Sequence, residues 1–258
     1  MTAIFVIARL TFLEIRRERV VSIVAALGIL SMFLTYIFSQ LALGETRRII
    51  IDFGLGFGTV LGIALVIFVG TTLLHREQLG GSLDIILSRP IGRGSFICGK
   101  FLGLSGLMFL WVSMLTALIA LTLMLIREPV TGGLLIAGLM LFVKLEILSA
   151  VGLLLGTLSS PILAGFLLLA IAMMGHSVGD LEGLIPLLSQ AFAIHIIQIL
   201  LTILPRLDLY GTSLPVALGQ VSGSGILPWA LTYGIFYSAA ALAFAAFRLE
   251  RTELNVSR

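Results

Sequence analysis

From Val20 to Leu43 the chain passes 24 residues without a charge, and long apolar runs recur to its end. About 20 such residues carry a helix across the hydrocarbon core of a bilayer. In lipid, the backbone of a spanning segment has to satisfy its own hydrogen bonds, so an isolated run of this kind is helical. Further runs cover Phe53–Leu74, about Phe96–Ile126, about Leu134–Leu158, Ile162 to about Val178 and about Ile226–Phe247. Charged residues make up only 11% of the 258, too few to cover a soluble fold of this size. The same figure, with 59% hydrophobic residues, excludes disorder. The expected fold is an all-α polytopic membrane protein with six transmembrane helices, forming a single transmembrane domain over residues 1–258.

Val20–Leu43 is too long for the apolar core of a secretory signal. With one cysteine, Cys98, the chain can form neither an internal disulfide nor a cysteine-cluster zinc site. A net charge of +3 implies no nucleic-acid partner. What the basic residues do report is orientation. Residues 1–19, 75–100, 159–161 and 248–258 hold Arg9, Arg16, Arg17, Arg19, Arg76, Arg89, Arg93, Lys100, Arg248, Arg251 and Arg258. The opposite side holds Arg47, Arg48, Arg127 and Arg206. This bias places both termini in the cytoplasm.

Two segments are read as lying along the membrane. In residues 1–19, Phe5, Ala8, Phe12 and Ile15 share a helical face beside Arg9, Glu14, Arg16, Arg17, Glu18 and Arg19. This predicts an interfacial helix before the first span. Within the outer-face segment 179–225, the stretch Gly183–Leu207 carries His195, Gln198, Thr202 and Arg206 at one-face spacing. An amphipathic or re-entrant element is expected there. The alternative is a seventh span, which would move the C-terminus outside.

Several motifs look chemical. Gly94–Lys100 reads G-x-x-x-x-G-K, but Phe101 stands where a phosphate loop needs Ser or Thr and no strand precedes it. The plain expectation is a span start with Lys100 snorkelling to the inner surface. Gly103-Leu-Ser105-Gly106 reads G-x-S-G, as in rhomboid intramembrane proteases. Ser105 is expected near the inner end of its span, and His176 and His195 toward the outer side, so no base would reach it. Gly and Ser there suit close helix packing. His75, His176 and His195 are scattered, which argues against a metal site. Lys144 and Glu146 lie near the middle of the fourth run. Charge at that depth costs about 2.5–3.5 kcal/mol per residue. Residues two apart on a helix do not face each other. The pair either lines a substrate path or serves as structural ion-pair partners between helices or protomers.

The loop 75–95 carries the most specific pattern: Glu77, Gly81, Ser82, Leu83, Ile86, Leu87, Ser88, Arg89, Pro90, Ile91 and Arg93, then Gly99-Lys100. Ser82 suits an N-cap and Asp84 a first turn. Leu83, Ile86 and Leu87 share a face, and Pro90 discourages helix at the residue before it. A short amphipathic helix on the cytoplasmic side is expected, of a kind that docks into a partner's groove. This loop resembles the permease subunits of ABC type-2 exporters. Their pattern is Glu, Gly-Thr-Leu, a short apolar run, Ser-x-Pro-Ile/Val-Ser-Arg, and Gly-Lys opening the third span. Ser82 replaces the usual Thr, Gly92 replaces the second Ser, and extra residues separate Glu77 from Gly81. The Arg-rich start, the Ser159-Ser160-Pro161 turn and Leu204-Pro205-Arg206-Leu207-Asp208-Leu209 extend the likeness.

The resemblance implies a transmembrane subunit of a bacterial or archaeal plasma (inner) membrane, paired with a second copy or a homologue. Two cytoplasmic ABC ATPase subunits would bind the loop through Glu77, Gly81, Ser82, Leu83, Ile86, Leu87, Arg89, Pro90 and Arg93. ATP and Mg would bind in the partner ATPase, leaving this chain without a cofactor, a metal or catalytic residues of its own. Apolar walls favour a lipid-like or small amphipathic substrate. An ion-coupled secondary transporter using Lys144 and Glu146 is the alternative, followed by a structural subunit of a larger complex and a rhomboid-like protease.

Overall fold

A computed structural model describes residues 2–17, 19–41, 45–73, 92–184, 195, 198, 201–219 and 223–254. Among these residues the chain is all helical, with no strand. In order they are α1 (Thr2–Arg16), α2 (Arg19–Leu41), α3 (Thr46–Leu65), α4 (Arg93–Leu125), α5 (Gly133–Leu158), α6 (Pro161–His176), α7 (Val178–Leu184), α8 (Ser213–Ala217) and α9 (Gly223–Leu254). A π-helical turn, Val66–Gly70, continues α3, and a 3₁₀ turn, Leu207–Thr212, precedes α8.

Among the described residues, four helices are long and apolar enough to cross a bilayer: Thr46–Gly70, Gly94–Leu125, Gly133–Leu158 and Leu227–Leu249. The chain is therefore a multi-pass membrane protein. α1 and α2, bent by 64° to each other, meet the same test as a pair. α6 is apolar, but its 16 residues rise only about 24 Å.

α5 is the central helix. Its buried positions run around its whole circumference, from Leu141 through Leu145 and Glu146 to Leu153. The outward faces of the other helices carry Phe33, Val60, Phe109, Leu121, Phe166 and Phe236, all exposed. Such a coat suits lipid, not water. Glycine decides how closely the helices approach. Cβ atoms at Gly54, Gly58 and Gly62 of α3 would collide with Ile119, Leu115 and Leu145 respectively. The four-residue spacing lays these glycines in a row, and Ile119 and Leu115 answer it on antiparallel α4. The Trp111 indole N–H donates to the Gly58 carbonyl across this seam, at 3.1 Å.

The structure departs from the sequence reading at α1. Phe5 and Ile15, read as sharing one face, part ways: Phe5 is 69% exposed, whereas Ile15 is buried together with Thr11. The helix packs lengthwise on the start of α4 because Gly99 and Gly103 offer no side chains there. Ile7 sits against the first and Thr11 against the second, with Phe12 over Gly106. Lys100 lies under α1 instead of snorkelling. It is 2% exposed, 3.7 Å from the Glu14 carboxylate and over the Phe96 ring.

The antiparallel packing gathers segments 2–17, 92–100, 159–161 and the end of α9 at one end of the bundle. There Phe96, Ile97, Leu153, Ala245 and Leu249 form a cluster of their own. Ser160 precedes Pro161 at the first position of α6, so the Ser-Ser-Pro turn stands where the sequence puts it. At the opposite end Thr131 joins three elements. It accepts from Arg47 of α3 at 3.2 Å and donates to the Ala217 carbonyl of α8 at 2.7 Å. The 3₁₀ turn docks through Tyr210, whose hydroxyl donates to the Ala230 carbonyl of α9 at 2.8 Å. Burial raises that phenol above its ordinary value and keeps it a donor.

Candidate functional site

Lys144 and Glu146 occupy the middle of α5 and are 6% and 9% exposed. A helix turns about 100° per residue, so the two side chains leave it in different directions. Among the described residues no carboxylate lies within ion-pair distance of Lys144, Glu146 included. Lys144 is electrostatically coupled to His176 at the end of α6. His176 itself is tied to its own helix through Nδ1 and the Ala172 carbonyl, 2.8 Å apart.

Glu146 turns toward α4, where the Ser105 hydroxyl approaches its carboxylate. This corrects the placement of Ser105. α4 begins at Arg93, so Ser105 lies twelve residues inside it, opposite the middle of α5 rather than at the inner end. Phe109 and Phe142 pack one turn further along the same antiparallel seam. Glu146 Oε1 remains buried without a hydrogen-bond partner among the described residues. Ser149, three residues on, is fully buried, and its Oγ has none either. Ser238 of α9, the helix packed most closely on α5, likewise leaves a buried Oγ unsatisfied. Buried polar atoms in proteins are nearly always partnered. Three unpartnered oxygens within a helical membrane core mark its polar interior.

The arrangement provides a lone carboxylate and hydroxyls in apolar surroundings. Among the described residues, no group of three or more His, Cys, Asp or Glu is placed to hold a metal. Ser105 faces a carboxylate rather than an imidazole, which gives it no efficient base for nucleophilic attack. Spacing draws attention to Lys144, Glu146 and Ser105. Ser149 escaped notice, although a hydroxyl three residues after a buried acid lies on the same side of the helix.

Of the loop residues read as a coupling site, Glu77, Gly81, Ser82, Leu83, Ile86, Leu87, Arg89 and Pro90 lie outside the described residues. Arg93 opens α4. Gly94–Lys100 is helical throughout and forms the first two turns of α4, so it is not the strand-to-helix loop that a phosphate site of this pattern needs. Of the outer-face stripe, His195, Gln198 and Thr202 are helical and exposed, while residues 185–194 lie outside the described set. Arg206 pairs with Glu182 of α7, and its backbone amide donates to the Tyr233 hydroxyl at 2.9 Å. No protein-family model matches the chain, and no curated protein matches it.

Proposed function

We propose that the chain is the permease subunit of an ATP-driven exporter of the ABC type-2 kind, crossing the membrane six times through α2, α3, α4, α5, α6 and α9. Both termini are cytoplasmic. The 75–95 loop couples the chain to separate ATPase subunits, and a second copy or a homologue completes the transport unit. The cargo is lipid-like or a small amphipathic compound.

One observation carries this reading. The segment with the Glu77…Arg93 pattern leaves α3 and enters α4 at the bundle end where α1, the α5–α6 turn and the end of α9 collect. That end holds Arg9, Arg16, Arg17, Lys100 and Arg248, the side that the positive-inside bias assigns to the cytoplasm. A docking helix placed there meets a cytoplasmic partner. Phe101, standing where a phosphate loop needs Ser or Thr, supports an ATPase on another polypeptide. The polar interior around Glu146 and Ser105 is the candidate path for cargo through the bundle.

An ion-coupled carrier is the second reading, favoured by the unpartnered Glu146 oxygen. Affinity purification of the tagged chain from its native membrane separates the two. The exporter reading requires a stoichiometric ABC ATPase, and its absence with transport intact would favour the carrier. A reporter active only outside the cytoplasm should be silent when fused after Arg258 and active when inserted at Gly223–Gly225. Activity at the C-terminal fusion would refute the six-span topology.

A further inference from the structure

An apolar groove of about 620 Å³ runs between α4 and α5 on the flank of the bundle. Thr131 stands at one end, and Phe109 and Phe142, edge to face at 5.9 Å, stand at the other. Between them the walls include Ala117, Leu135 and Leu139. Leu135 and Phe109 are 72% and 63% exposed, so the groove opens sideways into the bilayer. From Gly133 to Phe142 the helix rises about 14 Å. The half-thickness of a bilayer's hydrocarbon core is about 15 Å. The groove therefore has the depth of one leaflet.

Beside its polar end, hydrogen-bonded to the lining residue Thr131, lies a charge without an ion-pair partner among the described residues. Arg47 donates through Nη2 to Thr131, and its Nε is buried without a partner. Among the described residues no carboxylate is within ion-pair distance of Arg47, in contrast to Arg206 with Glu182. Arg47 also sits in the first turn of α3, where the helix dipole favours an anion over a cation. We propose that this groove holds one acyl chain of an anionic phospholipid, with the phosphate against Arg47 at the Thr131 end. A guanidinium matches phosphate with paired N–H donors. An apolar helix from a second copy would leave Arg47 without an anion. The site is independent of the exporter reading and requires only that the chain lie in a membrane.

Native mass spectrometry of the full chain, purified in detergent and titrated with phosphatidylglycerol or phosphatidylcholine, tests this. The wild type should retain phosphatidylglycerol in preference. Arg47→Gln should lower that preference about five-fold, the factor expected for one basic residue at an anionic lipid surface. Arg47→Lys should keep most of it. Ala117→Trp, which fills the groove, should reduce retention of both lipids. Raising the ionic strength should erode the wild-type preference, a measurement that needs no variant. An unchanged preference in Arg47→Gln, a salt-independent preference, or full retention in Ala117→Trp would overturn the proposal. So would disulfide cross-linking between copies through Leu139→Cys in a Cys98→Ser background, since a second chain would then occupy the groove.

Discussion

Glu146 and Lys144 lie two residues apart and make no ion pair with each other, which decides how their substitutions should combine. Removing one does not strand the other as the remnant of a pair. Glu146→Leu removes a buried Oε1 that has no partner among the described residues and, with it, the Ser105 contact; replacing a buried charged group with an apolar one of similar size is often neutral or stabilising by about 1–3 kcal/mol. Thermal melting of the purified complex should show equal or higher stability, while cargo-stimulated ATP hydrolysis is lost and basal hydrolysis persists. The effects of Lys144→Met and Glu146→Leu should add within about 0.5 kcal/mol. Rescue of Lys144→Met by the double change would restore the structural-pair reading. Arg127 offers a second residue-scale test. It closes α4 in the left-handed region at φ 61°, with its amide bonded to Met124 and that of Glu128 to Leu123. This is a Schellman ending, normally built on glycine. Arg127→Gly should relieve about 1–2 kcal/mol and raise the melting temperature. At this scale Lys144 and Glu146 are legible because charge inside a long apolar run is costly and conspicuous. Ser149 is not, since a serine among leucines carries no such signal until its neighbours are known.

At the scale of elements, apolar runs reveal where helices exist but not where they end. α3 begins at Thr46, before the apolar run, because a helix can project past the hydrocarbon with Arg47, Arg48 and Asp52 on it. The π turn at Val66–Gly70 has no counterpart in periodicity. Its packing against Gly152 and Leu104 is a tertiary matter. The clearest divergence is α1. Amphipathicity alone cannot separate a helix that lies on lipid from one that packs on protein, and the deciding residues are glycines far along the chain. A Cβ at Gly103 would stand 2.6 Å from Thr11 Cβ and 2.9 Å from the Ala8 carbonyl oxygen. Gly103→Ala should therefore cost about 1–3 kcal/mol and loosen α1, read as faster proteolysis near the N-terminus. Gly94→Ala, at a position facing open space, should leave stability unchanged or slightly raised.

For the whole molecule, the end-to-end sorting of charge and the central burial of α5 follow from one constraint. A bundle in lipid turns apolar side chains outward and keeps its polar groups inside or at its ends. The class of the molecule was therefore legible from composition and run length, and its multi-pass helical character is what the structure shows. The proposed ATPase partner rests instead on the short loop pattern between α3 and α4. The most direct measurement is the amount of ABC ATPase that copurifies with the chain when Leu83 is changed to Asp. Charge on the apolar face of a docking helix would be buried unpaired, a penalty of about 3–5 kcal/mol. The account predicts a stoichiometric ATPase with the wild type and its loss with Leu83→Asp, at unchanged membrane insertion. Equal recovery of ATPase with both, or none with either, would contradict it.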